Sequence, residues 1–344
     1  MLRHAVGVCL GIGLFLSVAT AVAGEDTRGD DGKTGNDKKV RQDAVMRGDA
    51  ECTFCHDEED STSLLAIGKT KHGTLADSRT PTCTSCHGAS REHLKKESGQ
   101  DKRPKPDITY GRRSPKIRPD ARIDENFGNF KTTDTPAATI NKTCTTCHQG
   151  DKLLFWSSSA HVRQEVACTN CHEIHTDHDR VLDKRSQPGV CFGCHKTQRA
   201  MFNRPSHHPV PEGKMACSNC HNPHGSAGHK SLRWDSINET CYQCHMEKRG
   251  PFLHMHPPVA ENCLICHNPH GTVVADLLNY RPPYLCQNCH SSTTHRGQVP
   301  GLPGVRTTNM SQLGTVARGC VKCHVNIHGS NSTENATRTG RFQR

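Results

Sequence analysis

The sequence predicts a coil-rich fold with short α-helices and little or no sheet, built from small units that stack into an elongated body. Hydrophobic residues make up 33% of the 344 residues and aromatic residues 4%, whereas globular domains are roughly 45–50% apolar. A cysteine-containing segment recurs every 22–26 residues between positions 144 and 289, and units of this size bury no core alone. Something other than side chains must therefore supply the buried surface, or the chain is disordered.

Residues 1–23 have the organisation of a secretory signal peptide. A short positive segment at residues 3–4 precedes an apolar run at 5–19 and an Ala-Val-Ala cleavage site at 21–23. We therefore expect export, with Cys9 removed alongside the signal. No later stretch reaches the roughly 18 apolar residues of a membrane helix, so we expect no direct membrane span.

Ten C-x-x-C-H pentapeptides account for every cysteine after the signal peptide. This pentapeptide is the attachment signal for c-type haem, because two thiols at this spacing can add to the two vinyl groups of one porphyrin. Zinc sites or a disulfide scaffold would need the cysteines but not a histidine after every second one. We predict a multihaem cytochrome c with ten covalently bound haem c groups, attached through Cys52, Cys55, Cys83, Cys86, Cys144, Cys147, Cys168, Cys171, Cys191, Cys194, Cys217, Cys220, Cys241, Cys244, Cys263, Cys266, Cys286, Cys289, Cys320 and Cys323.

The histidine that ends each motif is the predicted proximal iron ligand. These residues are His56, His87, His148, His172, His195, His221, His245, His267, His290 and His324. The sixth position on each iron then decides function, because a filled site transfers electrons whereas an open site can bind a substrate.

The other histidines are placed periodically. Fourteen of the 25 histidines remain once His4 and the motif histidines are set aside. The motifs form five pairs, each with a histidine or histidine cluster between its motifs and another soon after the second. Those between are His72, His161, His207/His208, His254/His256 and His295, and those after are His93, His175, His224, His270 and His328. Ten positions match ten irons, and His178 and His229 are left as predicted surface residues.

At two of these positions the sequence offers two histidines, either of which could be the iron ligand. The pattern H-x-P-V begins at His207 and at His256, and it favours these two as ligands. His208 and His254 stay open as alternatives.

Two His-Asn-Pro-His segments, at 221–224 and 267–270, constrain the ligation. Three residues span at most about 10 Å when extended and about 4.5 Å when helical. The second histidine can therefore hardly pass around a porphyrin to the same iron, and we expect it to bind a neighbouring haem. Such cross-ligation would tie consecutive haems into close contact.

The ligand types indicate electron transfer at low potential. No methionine lies at a recurrent position, and ligation by two histidines gives lower potentials than Met/His ligation. Because all ten motifs end in histidine, catalysis at an open haem is the less favoured hypothesis.

The charge of the chain fits this cofactor load. The formal net charge is +10 and falls to about +9 when Arg3 leaves with the signal peptide. Twenty haem propionates and ten ferric centres then bring the mature protein to roughly −1 oxidised and −11 reduced. The basic residues therefore neutralise propionates, and a nucleic-acid partner loses its support.

We expect the following organisation along the chain. After the signal peptide, residues 24–43 form a disordered polar segment. Residues 44–328 form the decahaem domain of five di-haem units, interrupted by a long basic, proline-containing linker at 94–143. Residues 329–344 form a polar tail.

Several segments carry a family resemblance. They are the ten motifs, Trp-Ser-Ser-Ser-Ala-His at 156–161, Ser-His-His-Pro at 206–209 leading to Glu-Gly-Lys-Met at 212–215, and the two His-Asn-Pro-His-Gly segments. Over roughly residues 44–328, the chain resembles the periplasmic decahaem cytochromes of porin–cytochrome conduits, the DmsE/MtrA type, including relatives from iron-oxidising bacteria. Segment 94–143 matches least well.

The resemblance implies a slender bis-histidine wire inside the polar lumen of an outer-membrane β-barrel. Its partners would be the barrel porin, periplasmic or inner-membrane cytochromes, and in some systems a cell-surface cytochrome. The implied location is the periplasm, associated with the outer membrane through the barrel. Two alternatives remain: a periplasmic shuttle that feeds a terminal reductase, and a multihaem reductase of nitrite, hydroxylamine or a sulfur oxyanion.

Overall fold

The structure is a computed structural model of the chain. It describes residues 49–56, 62–74, 79–95, 103–111, 134–176, 178–290 and 320–333, without the side chains of residues 62, 63, 322 and 323. The predicted signal peptide, the segment 24–43, His295, most of the linker 94–143 and most of the tail lie outside the described residues. The domain boundaries stay predictions.

Short helices are the regular secondary structure of the described residues. The α-helices are Ala50–Thr53, Thr62–Leu65, Cys83–His87, Arg91–Leu94, Ala137–Thr145, Ala160–Arg163, Gln187–Phe192, Lys196–Phe202, Ile237–Tyr242, Pro257–Glu261, Tyr284–Gln287 and Cys320–Cys323. The 3₁₀ helices are Ala66–Lys69, Asp151–Leu153, Trp156–Ser158, Cys168–Asn170, Cys217–Asn219, His229–Ser231, Met246–Lys248, Cys263–Ile265 and Ala275–Leu277.

Sheet is absent from the part of the chain that the structure describes. Extended segments meet there only as isolated antiparallel bridges, which are Ser206 with Thr272, His221 with Leu232, His254 with Ser330 and His267 with Leu278. The predicted coil-rich class with short helices is therefore confirmed. Within the same residues, no helix has both the length and the apolar character needed to cross a bilayer.

Each motif closes one helical turn. At nine motifs, from His56 to His324, the backbone N–H of the histidine donates to the carbonyl of the first cysteine at 2.8–3.0 Å. Positions i, i+3 and i+4 of such a turn are neighbours on one side of it. The local fold thus presents the two cysteine positions and the histidine together.

The two motifs of a pair occupy different positions in the helices that carry them. The first motif starts near the end of an α-helix, as Cys144 does in Ala137–Thr145, whereas the second opens a new helix. In three pairs this new helix is a single 3₁₀ turn, tighter than the α-helix that we expected. In two of them the cause is the asparagine inside the motif: Asn170 and Asn219 accept a hydrogen bond from the backbone N–H three residues earlier, at 2.8 and 2.7 Å.

The side-chain core of the described residues is small. Its buried hydrophobic members are Ala137, Ile140, Trp156, Val166, Ala167, Val190, Phe202, Val210, Ala216 and Tyr242. One cluster joins Ala137, Ile140 and Ala167, with Tyr110 and Cys144 packed against it. Three of the ten are alanines, so aliphatic packing contributes little buried surface, as the composition predicts.

Candidate haem-binding sites

The structure brings the motifs together two by two. In every pair the first cysteine of one motif hydrogen-bonds the first cysteine of the other. The contacts join Cys52 to Cys83, Cys144 to Cys168, Cys191 to Cys217, Cys241 to Cys263, and Cys286 to Cys320. Each pair of motifs therefore shares one thiol junction, at which two separate attachment points lie side by side.

The junctions change the acidity of the thiols. The hydrogen bond from Cys168 lowers the pKa of Cys144 to about 7, and the bond from Cys241 does the same for Cys263. Burial raises the pKa of Cys83 to about 12, and the negative charge of Asp49 adds to this effect.

A buried asparagine braces two of the junctions. Asn141 accepts the backbone N–H of Cys168 at 2.9 Å and donates to the carbonyl of Val166 at 3.0 Å. Asn238 accepts the N–H of Cys263 at 2.9 Å and donates to the carbonyl of Val259 at 2.9 Å. Each asparagine therefore fixes the start of the second motif relative to the first.

An aspartate takes this place in the first pair. Asp49 is fully buried, and its Oδ2 accepts the backbone N–H of Cys83 at 2.7 Å. Sequence reasoning missed these bracing residues. The available signal was an asparagine or aspartate three residues before the first cysteine of the first, second and fourth pairs.

Among the described residues, nine pairs of histidines face each other across a gap. The ring centroids are separated by 5.8–6.3 Å, and each pair contains one motif histidine and one of the other predicted ligands. The pairs are His56–His93, His72–His148, His87–His175, His161–His195, His172–His224, His208–His245, His221–His270, His256–His290 and His267–His328.

The gap fits one metal ion between two imidazoles. Two metal–nitrogen bonds of about 2.0 Å, with each ring centroid about 1.1 Å behind its nitrogen, give roughly 6.2 Å between centroids. Aromatic rings also pair at about 4.5–7 Å without a metal. A spread of half an ångström over nine pairs, each of one motif and one non-motif histidine, matches iron ligation far better than chance ring contacts.

The facing histidines come from different units in a regular order. The second motif of a pair faces the histidine that follows the next pair, as in His87–His175, His172–His224, His221–His270 and His267–His328. The first motif faces the histidine between the motifs of the preceding pair, as in His148–His72, His195–His161, His245–His208 and His290–His256. His56, at the beginning of the series, faces His93. The two histidines of each His-Asn-Pro-His segment thus face different partners. That the second one binds a neighbouring haem stays a prediction.

The preference for His207 over His208 needs correction. His208 faces His245, whereas the ring of His207 contacts the carbonyl of Arg204 and, at 3.0 Å, Glu212. The reason is an extra proline: the sequence runs His-Pro-Val from His208 but His-Pro-Pro-Val from His256, so matching H-x-P-V shifts the alignment by one residue.

The structure also distinguishes the remaining histidines with open assignments. His256 faces His290, and His254 instead pairs its backbone with Ser330. His178 and His229 are exposed, as predicted for surface residues.

Backbone carbonyls fix the tautomer of several facing histidines. Nδ1 of His87 lies 2.9 Å from the carbonyl oxygen of Ile108, and Nδ1 of His221 lies 3.0 Å from that of Lys230. A carbonyl can only accept, so Nδ1 carries the hydrogen and the lone pair remains on Nε2. This arrangement orients the ring and leaves Nε2 free for a metal.

Burial favours the neutral form of several facing histidines. It lowers the pKa of His224 to about 4 and also lowers the pKa values of His87, His195 and His270. Neutral imidazole is the form that binds metals. Together with the adjacent thiols, the chain therefore offers the donor set of c-type haem.

Comparisons with known proteins agree with this donor set. A family model described as a doubled CXXCH motif matches residues 207–250 and 256–295, and one described as a NrfB-like cytochrome c-type protein matches residues 110–188. The multiheme cytochrome MtrA of Shewanella baltica (strain OS185) is 39% identical over 290 residues, which cover 83% of this chain and 79% of the relative. The repeated motif, the coil-rich fold and this similarity agree: the chain belongs to the MtrA family of multihaem c-type cytochromes.

Proposed function

We propose that the chain is a decahaem electron carrier that transfers electrons across the outer membrane inside a β-barrel porin. In this role it links periplasmic or inner-membrane cytochromes to extracellular iron or another extracellular donor or acceptor. The observation that carries the electron-transfer part is the set of nine facing histidine pairs. The barrel, the periplasmic location and a surface cytochrome partner rest on the family resemblance.

The proposal gives every iron two imidazole ligands. The ligands that join the ten motif histidines are His72, His93, His161, His175, His208, His224, His256, His270, His295 and His328. The pairing order leaves His324 and His295 for each other, at the opposite end of the series from His56 and His93. This last pair follows from the order alone, since His295 lies outside the described residues.

Haem c supplies reversible one-electron chemistry at its iron. The residues of this chain determine how that chemistry is used. Two histidines would hold each iron, which would exclude a substrate from it. Neutral rings held by backbone carbonyls need little rearrangement when the charge on the metal changes. The chain therefore favours conduction over catalysis.

The pairing order also links consecutive units of the chain to one another. Eight of the nine facing pairs combine histidines from consecutive units, and His56–His93 lies within the first unit. No unit can therefore hold both of its haems without a neighbour. The thiol junction within a unit and the histidine pairs between units then alternate along the chain. Such an arrangement keeps consecutive cofactors adjacent from the first unit to the last.

Spectroscopy of the intact holoprotein tests the carrier role. Five facing pairs have ring planes within 10–20° of each other and four are inclined by 52–79°. Electron paramagnetic resonance of the ferric protein should therefore show two groups of low-spin signals, because the angle between axial rings shapes the low-spin spectrum. The reduced protein should take up no carbon monoxide. A high-spin signal or carbon monoxide binding in undenatured protein would favour a reductase.

Co-purification tests the conduit role. We expect the chain to be protected from protease in intact cells and to leave solubilised outer membranes in a complex with a barrel protein. A matched preparation from cells that lack the barrel should release the chain into the periplasmic fraction. If the chain is found in that fraction in both strains, the periplasmic shuttle is the correct function.

A further inference from the structure

We propose that Asp179 is a positioning residue that lowers the reduction potential of one haem, the one held by His172 and His224. This inference rests on the ligation in the proposed function and adds a residue that sets the driving force within the wire. Its basis is a carboxylate on one axial ligand, opposite a ligand that has no hydrogen-bond acceptor.

The carboxylate of Asp179 is held against the ring of His172. Its Oδ2 accepts from His172 Nδ1 at 2.7 Å. Its Oδ1 accepts from the backbone N–H groups of Glu173 and Val181, both at 3.3 Å. The Asp179 side chain is 14% exposed and that of His172 30%. The contact is thus anchored by the surrounding turn and largely withdrawn from water.

Corresponding motif histidines have a neutral acceptor instead. His221 and His267 each end the second motif of a pair, as His172 does. Their Nδ1 atoms donate to the backbone carbonyls of Lys230 at 3.0 Å and Asp276 at 2.8 Å, nine residues further on. At His172 a carboxylate seven residues further on takes this role. At His221 and His267 the acceptor is therefore the dipole of a neutral carbonyl group. At His172 it is a carboxylate with a full negative charge.

A charged acceptor changes the ligand more than a carbonyl does. Hydrogen bonds to ionised groups are roughly twice as strong as neutral ones, and an outer-shell carboxylate raises the basicity of a ligating histidine. A more basic, more anionic imidazole stabilises iron(III) over iron(II). The haem at His172 should therefore be harder to reduce than its counterparts at His221 and His267.

The ligand opposite His172, which is His224, has no hydrogen-bond partner that would offset the effect of Asp179. Nδ1 of His224 is buried and has no hydrogen-bond partner. Its ring faces His172 at 6.1 Å and touches the edge of Trp156 at 5.9 Å. Among the described residues, Asp179 is thus the one hydrogen-bond partner on the two Nδ1 atoms of this pair. We therefore expect a step down in potential at the second unit of the wire.

Redox titration of the holoprotein with Asp179→Asn tests the proposal. Asparagine keeps the shape and an acceptor oxygen but removes the charge. Outer-shell substitutions typically change metal-site properties roughly 10–100-fold. We expect about a tenfold fall in the oxidised-to-reduced ratio of one haem at fixed potential, which corresponds to about 59 mV for one electron. The low-spin resonance of that haem should change with it, while the remaining signals stay in place.

Asp276→Asn is the matched control. Asp276 lies in the equivalent turn, but it serves His267 through its backbone carbonyl, and asparagine accepts the same positive φ of 59°. This variant should titrate like the wild type. A shift of equal size in both variants would mean that the effect is general electrostatics and would overturn the assignment.

Asp179→Glu separates charge from structure. Glutamate restores the carboxylate, so it should return the potential most of the way to the wild-type value, even if the turn loosens. Unchanged midpoints in Asp179→Asn, or equal shifts in the asparagine and glutamate variants, would overturn the role of Asp179. A high-spin signal in the wild type would instead overturn the proposed ligation, so the two failures are distinguishable.

Discussion

The imidazole of His161 donates its Nδ1 hydrogen to the carbonyl oxygen of Pro223 at 2.6 Å. Pro223 directly precedes His224, which faces His172. A ligand of one proposed haem therefore holds the backbone that carries a ligand of another.

This link recurs along the repeat. It joins His208 to Pro269 and His256 to Ile327, the residues that precede His270 and His328. The carbonyl fixes the tautomer of one histidine and the position of the next at the same time. Each link also crosses from one unit to the following one, so the units should lose their ligands cooperatively rather than singly.

Replacing His208 with methionine should raise the potential of one haem. The exchange would convert the proposed bis-histidine pair with His245 to Met/His ligation, which has a higher potential. We expect a redox titration to show roughly one tenth of the haem absorbance moving to higher potential, by at least tenfold in the oxidised-to-reduced ratio, or about 59 mV.

The neighbouring residue supplies the control for that variant. His207→Met changes the adjacent ring, which contacts Glu212 and Arg204 rather than a motif histidine. Its titration should match the wild type. The opposite result, a shift in His207→Met and none in His208→Met, would restore the assignment based on the H-x-P-V pattern.

Replacing Asn141 with alanine should destabilise the second unit by about 1–3 kcal/mol, because it leaves the buried N–H of Cys168 and the carbonyl of Val166 without partners. Thermal unfolding followed by haem absorbance measures this loss. Gln149→Ala is the control, since the exposed Gln149 side chain bonds only the carbonyl of Thr146 in its own turn. Equal unfolding midpoints for both variants would show that the Asn141 side chain does not stabilise the second unit.

The attachment chemistry and the coil-rich class could be predicted from sequence because both are local. A C-x-x-C-H turn needs only its own backbone bond, from His56 to Cys52 for example, and short helices follow from short repeats. Which histidines face each other could not be predicted, because each facing pair joins distant parts of the chain. His87 and His175 are 88 positions apart in the sequence.

The errors and omissions also have physical causes. The H-x-P-V match failed because Pro258 adds one residue to the later segment. The ring contact between His208 and His245 reveals the correct register. The sequence carries the recurring asparagine or aspartate but not its contact, because the partner of Asn141, Cys168, lies 27 residues away. Pattern reasoning finds repeated residues, but it does not find contacts between repeats.

Replacing Gly271 with alanine should displace His270 and weaken the unit around it. Gly271 has a φ of +138°, and a Cβ atom there would overlap the carbonyl oxygen of Met201, which belongs to the backbone and cannot move aside. Backbone strain of this kind costs about 1–3 kcal/mol before the overlap is counted. We expect a lower thermal midpoint together with a changed low-spin signal from the proposed haem between His221 and His270.

Gly150→Ala, with open space around its Cβ and a φ of −96°, should change neither. If Gly271→Ala melts and titrates like Gly150→Ala, the close approach between the Met201 backbone and Gly271 does not hold His270 in place.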